Sequence, residues 1–206
     1  MKRHFILFIS LVMTLSIIAQ KIHKYDQVID MTYYKSFYSK DIMAPSFVIY
    51  KLYKGGGDVS RSGMNFKAYD NLPHFSYRLT GYDKGHLANA EDFAWSKESL
   101  RSTFYYINAV PQTSKLNRGI WKKFETEIRK LSQTDSLLII CGGCDYNDID
   151  VGVPQNCFKI VYNLRNHRCV YALMFKNNWL NEYWDEPKLK RKMSFKKAMK
   201  LYESTK

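Results

Sequence analysis

Three observations predict an α+β fold built on a mainly antiparallel sheet flanked by helices. Strand-like runs outnumber helical ones along the chain. The last two strand candidates are joined by Leu164-Arg165-Asn166-His167, a hairpin-sized loop. The strongest helix sits mid-chain and another closes it, without the strict alternation of a parallel βαβ sheet. At 206 residues, 46% of them hydrophobic, one domain with a sizeable core is expected. No repeat at solenoid periods is visible, and a charged fraction of 25% is ordinary for a soluble globular chain.

The elements follow in order. Residues 1–19 read as a secretory signal. Lys2, Arg3 and His4 make a basic start, Phe5 to Ile18 is apolar apart from Ser10, Thr14 and Ser16, and Ala19 is a small residue before a cut. The apolar run falls short of the roughly 20 residues of a membrane-spanning helix; an uncleaved anchor is the alternative. Residues 20–206 would then be a secreted or periplasmic domain with no stable membrane association. Ser46 to Tyr53 is β-branched and aromatic and predicts a strand, closed by a turn at Gly55-Gly56-Gly57-Asp58. No Gly-Lys-Ser/Thr follows that turn, which excludes a phosphate-binding P-loop. Leu72 to Gly81 is irregular. Ser96 to Phe104 predicts a short helix capped by Ser96, and Phe104 to Asn108 a buried strand. Over Arg118 to Leu131, Trp121, Phe124, Ile128 and Leu131 recur at spacings of three and four, which predicts a helix with one apolar face. Strands are expected at Leu137–Cys141, Cys157–Tyr162 and Val170–Phe175. Ser194 is positioned to cap a last short helix running to Glu203.

An exported chain meets oxidising conditions, so Cys141, Cys144, Cys157 and Cys169 are expected in structural disulfides, with free thiols and a zinc site as alternatives. Cys141-Gly142-Gly143-Cys144 has redox-motif spacing, but it ends a strand candidate and opens no obvious helix, which argues against a thioredoxin-like role. The formal net charge of +13 suits a polyanionic partner, and phosphate backbones are the commonest. The basic run Lys188 to Lys200 is either an accessory nucleic-acid contact or a solvated cationic tail.

The chemistry concentrates in Tyr82-Asp83-Lys84-Gly85-His86 and in two stretches downstream, Asn108-Ala109-Val110-Pro111-Gln112 and Asn117-Arg118-Gly119-Ile120-Trp121. A neutral histidine can take a proton from water near pH 7, the task of a general base. Lys84 adds positive charge, and Asp83 can hold the imidazole or a nearby cation. Asn117 at a helix start is either an N-cap or a neutral oxygen ligand, and magnesium accepts a single protein ligand plus waters. Eight residues separate Asn117 from Glu125, which places them about 80° apart around a helix.

These residues resemble the DNA/RNA non-specific endonuclease family of ββα-metal (His-Me finger) enzymes. The resemblance rests on Asp83-Lys84-Gly85-His86, Asn108-x-x-Pro111-Gln112, Asn117-x-Gly119-x-Trp121 and Glu125. It implies a ββα-metal core and a metal-dependent hydrolase that cuts DNA and RNA with little sequence specificity, leaving 5′-phosphate ends. It assigns His86 as general base, Asn117 as direct ligand of a hydrated Mg²⁺ (or Mn²⁺), and Glu125 as the group orienting the metal's waters. Arg61 would stabilise the phosphorane, Asn108 would support the site geometry, and Asp83 would act from behind the site. Arg61, Lys84, Gln112 and Arg118 would contact substrate. A homodimer and an immunity or inhibitor protein stay open as partners. Lys84 departs from the family's Asp-Arg-Gly-His pattern, since lysine offers phosphate a point charge where arginine offers a planar fork. For that reason a catalytically weakened nucleic-acid-binding protein of the same fold is the alternative function.

Overall fold

The computed structural model describes residues 22–146, 152–179 and 192–204. The proposed signal and part of the basic run lie outside them. Six strands form one antiparallel sheet: β1 (Gln27–Asp30), β2 (Lys35–Ser39), β3 (Ala44–Leu52), β6 (Leu137–Tyr146), β7 (Pro154–Asn163) and β8 (Cys169–Lys176), in the order β1-β2-β3-β6-β7-β8. The segment between β3 and β6 carries the second sheet, a pair made by β4 (Asp83–His86) and β5 (Ala109–Gln112), and the helices α1 (Lys97–Ser102) and α2 (Lys122–Leu131). Helix α3 (Phe195–Glu203) closes the described chain.

The large sheet is buried on both faces, which explains why β6 opens on the unbroken apolar run Leu137-Leu138-Ile139-Ile140. Alternate residues point to opposite faces of a strand. Tyr50, Ile139, Cys157 and Phe175 pack with Trp121, Phe124 and Ile128 from the α2 side. Phe37, Ile49, Ile140 and Phe158 pack on the other side, where Ala198 of α3 is fully buried. Each large apolar side chain placed this way stabilises the fold by about 1.5–3 kcal/mol. The expected caps are present. Ser96 Oγ accepts from the Ser99 amide, and the Ser99 side chain accepts from the Ser96 amide. Ser194 Oγ accepts from the Lys197 amide.

Three expectations are corrected. Phe104 to Asn108 is not a strand: Tyr106–Asn108 forms a 3₁₀ turn, and the strand begins at Ala109. A short apolar run has no period that separates the two. Arg118 to Trp121 does not belong to a regular α-helix. Leu116–Trp121 is a wide, π-type turn in which Gly119 leaves helical values (φ −100°, ψ −113°), and α2 proper starts at Lys122. Finally, the four cysteines are free thiols. Cys141 and Cys157 face the α2 side, whereas Cys144 and Cys169 belong to the α3 side. Cys141 and Cys144 therefore cannot share a zinc ion or a bond. The Cys141 thiol donates to the Leu87 carbonyl at 2.9 Å, and burial pushes it up to about 12.

Candidate active site

The β4–β5 pair and α2 together make a strand–strand–helix unit on one side of the large sheet. Asp83 lies opposite Gln112 and His86 opposite Ala109. Trp121 pins the unit together, since its indole N–H donates to the His86 carbonyl at 3.3 Å. Asn108 fastens the chain just after His86. Its Oδ1 accepts from the Ala88 amide at 2.8 Å, and its Nδ2 donates to the carbonyls of Ala88 (2.9 Å) and Thr103 (3.0 Å). Gln112 lies beneath β4, fully buried. A Cβ on Gly85 would come within 2.3 Å of Gln112 Oε1, so only glycine permits this approach.

A cavity of about 630 Å³ opens over this unit. Of the predicted site residues, Arg61, Asp83, Lys84, His86, Asn117, Arg118 and Glu125 line it. Asn108 and Gln112 do not. Asn108 is a buried staple, as a residue supporting the site geometry would be, whereas a substrate contact from Gln112 is corrected by its full burial. An Asn108→Ala variant leaves the Ala88 amide and two carbonyls unpaired, and should cost about 2–4 kcal/mol. A melting curve showing a change under 1 kcal/mol would contradict this role.

His86 is wedged between Phe66 (centroids 4.7 Å apart) and Phe104 (4.9 Å). Its Nε2 is buried without a hydrogen-bond partner. Burial, with the Arg61 charge nearby, lowers its pKa to about 3, so the ring is neutral at physiological pH. The Arg61 guanidinium sits 5.6 Å from the Phe104 ring, and the Lys84 ammonium 5.9 Å from both Phe66 and Tyr77. Asp83 organises the rim: it accepts from Asn117 Nδ2 at 3.0 Å and takes a two-pronged contact from Arg118 at 2.9 and 2.6 Å. Burial raises its pKa, but these hydrogen bonds and the Arg118 charge outweigh it and hold the carboxyl below its usual range. With its amide nitrogen turned to Asp83, Asn117 keeps its amide oxygen as the donor left for a cation. Asn117 caps no helix; it lies inside the wide turn.

Glu125 projects from α2 with Oε1 buried and without a hydrogen-bond partner. Burial raises its carboxyl to about 7, against the opposing pull of Lys159 and Asn89. Behind it lies a charge cluster that the sequence did not reveal. Lys159 of β7, 1% exposed, is 3.8 Å from Glu125 Oε1 and 4.2 Å from the Trp121 ring centroid. Arg129, one helical turn after Glu125, donates to Asp92 (2.8 Å) and Asn89 (3.0 Å) and pairs with Glu91 at 3.0 Å. The visible signal was Lys159 itself, a cation inside the apolar strand Cys157-Phe158-Lys159-Ile160-Val161.

Comparison with known proteins gives the family and the fold. The profile for DNA/RNA non-specific endonucleases matches residues 14–197. The chain belongs to that family. It is 36% identical over 93 residues to mitochondrial endonuclease G of Bos taurus, covering 42% of this chain and 31% of the relative. It is 28% identical over 164 residues to mitochondrial nuclease 1 of Schizosaccharomyces pombe (68% and 49%), and 36% identical over 109 residues to a nuclease of Nostoc sp. (47% and 40%). Each match thus spans less than half of the relative's length. A crystal structure of the EndoG/EndoGI complex superimposes with a TM-score of 0.66 at 23% identity, over 76% of both chains, and shares the fold. The expectation of a secreted or periplasmic location is corrected by these relatives, since endonuclease G and nuclease 1 are mitochondrial and point away from export. Among the described residues, no helix is long and apolar enough to cross a membrane.

Proposed function

We propose that this chain is a metal-dependent endonuclease that hydrolyses phosphodiester bonds of DNA and RNA with little sequence specificity and leaves 5′-phosphate ends. One observation carries the reading: a buried, neutral imidazole with an unpartnered nitrogen shares a cation-lined cavity with the Asn117 amide and the Glu125 carboxylate. Arg61 and Lys84 attract the scissile phosphate and offset charge as the phosphorane forms. His86 takes the proton of the attacking water. Arg118, held by Asp83, borders the strand's path.

The residues fit a hydrated divalent cation. Asn117 offers a hard neutral oxygen, Glu125 Oε1 is an orphaned buried acceptor suited to metal-bound water, and Mg²⁺ asks for few protein ligands. Among the described residues no three His, Cys, Asp or Glu side chains converge, and a one-ligand site needs no such cluster. When bound, the metal, Mg²⁺ or Mn²⁺, would supply charge neutralisation and ease departure of the 3′ oxygen.

The test is cleavage of plasmid DNA and of RNA by the full chain, with Mg²⁺ or with chelator. Metal-dependent nicking of both substrates is expected. Binding without cleavage would favour the weakened binding protein, and cleavage unaffected by chelator would overturn the metal site. A pH series adds a sign. Glu125, raised to about 7, takes up a proton as pH falls through 7, whereas His86, lowered to about 3, stays neutral. The half-saturating Mg²⁺ concentration should therefore rise about tenfold from pH 8 to pH 6, as one proton competes with the metal. Saturating Mg²⁺ should restore the rate at pH 6; a loss that metal cannot restore would show His86 titrating in that range.

A further inference from the structure

We propose that Trp179, packed on the Tyr82 ring that lines the cavity, is a stacking platform for an unpaired base, which makes single-stranded nucleic acid the favoured substrate. The proposal rests on the nuclease reading and names the substrate class of the same site.

Trp179 is a large aromatic residue left 47% exposed. Its ring packs against Tyr82, centroids 5.2 Å apart and planes tilted by 38°, and lies over Gly81, where a side chain would touch it at 3.7 Å. The position is fixed from below. Asn177, almost wholly buried, donates from Nδ2 to the carbonyls of Pro111 (2.8 Å) and Pro154 (2.9 Å) and accepts the Thr113 amide at Oδ1 (2.9 Å). Its own backbone amide donates to the Gln155 carbonyl at 2.8 Å. These bonds tie the turn that carries Trp179 to the end of β5, the partner strand of β4. The indole is thereby set in a constant relation to Asp83 and Lys84.

Asn177 anchors this turn through its own hydrogen bonds, and among the described residues the contacts recorded for the Trp179 ring are with Tyr82 and Gly81. What the exposed ring adds is an aromatic face one ring beyond the cavity wall, on the far side of Tyr82. Tyr82, on which it rests, lines that cavity together with Tyr77 and Phe66, the cations Arg61, Lys84 and Lys122 line it too, and Lys84 lies 5.9 Å from both the Phe66 and Tyr77 rings. Aromatic faces interleaved with cations are the make-up of grooves that hold single strands, where backbone charge and base stacking act together. A base inside a duplex has both faces occupied and cannot use the platform without leaving its stack.

The experiment uses the full chain carrying His86→Ala, so that binding is read without cleavage. Anisotropy is measured with a labelled single-stranded oligonucleotide and with the blunt duplex of the same sequence. Adding Trp179→Leu should weaken single-strand binding roughly tenfold or more, the usual loss for one stacking contact, and should change duplex binding less than twofold. Trp179→Phe should keep most of the single-strand affinity, and it separates lost stacking from a disturbed fold. Equal loss on both substrates, or no loss with Trp179→Leu, would overturn the platform. Cleavage by Trp179→Leu with His86 intact separates the two readings. Vigorous cutting with an unchanged preference between single and double strands removes the platform and keeps the nuclease. Trp179-dependent single-strand binding in a chain that never cuts does the reverse.

Discussion

A His86→Ala substitution should lower kcat for phosphodiester cleavage by about two to four orders of magnitude, the usual contribution of a positioned general base, and should move KM little. The imidazole is the one group in the cavity that is both neutral at physiological pH and a proton acceptor with an orphaned nitrogen. The cations beside it, Arg61 and Lys84, can hold phosphate but cannot take a proton. Truncation also empties the slot between Phe66 and Phe104, a space shaped for an aromatic ring. Added imidazole should therefore restore part of the rate, in proportion to its neutral form. Single-turnover cleavage with and without imidazole checks this. A variant that cuts as fast as the wild-type chain would place the base elsewhere. Asn117→Ala and Glu125→Ala should instead act mainly through the metal requirement. That contrast assigns the three residues to two roles.

The residues that line the cavity were largely legible because their spacing is local. Asp83 to His86 is one short strand, and Asn117 and Glu125 stand on one turn and the start of α2, so nearness in the chain brings them to one cavity, although the kink at Gly119 breaks the regular helical angle expected between them. What was illegible depended on contacts across long loops. Lys159 meets Glu125 only because β7 passes beneath α2, and no periodicity announces a cation at that crossing. Asn108 and Gln112 carry the same amide chemistry as Asn117, yet they point into the core, and their sequence context does not separate a staple from a ligand. Strands β1 and β2 escaped because Lys35-Ser36-Phe37-Tyr38-Ser39 lacks the apolar alternation of a half-buried strand, although all five residues are buried. The disulfides were misread for a different reason. They followed from an assumed oxidising compartment and not from the strand faces, which put Cys141 and Cys144 on opposite sides of the sheet.

A Lys159→Met substitution should destabilise the fold by about 1 kcal/mol at pH 8, because the buried Glu125 carboxylate loses its counter-charge and must take up a proton instead, at a pH about one unit above its folded value. The sign follows from linkage. Glu125 in the folded chain is already raised from 4.5 to about 7, chiefly by burial, with Lys159 as the largest opposing influence. Below the unfolded value the carboxyl is protonated in both states and carries no penalty. As pH rises through the folded value, the unfolded chain releases its proton more readily, and stability falls. Removing Lys159 raises the folded value further and deepens that loss, so the variant should be near normal at pH 5 and measurably less stable than the wild-type chain at pH 8. Methionine keeps the volume of the stem beneath Trp121, so lost packing contributes little. Adding Glu125→Gln should recover most of the stability, because it removes the charge that Lys159 balances. Urea titrations of the single and double variants at both pH values measure this coupling. A loss independent of pH and of Glu125 would show that Lys159 acts through packing or through Asp92. The expected coupling would show instead that the sheet keeps the carboxylate on α2 ionised, and so able to orient metal-bound water.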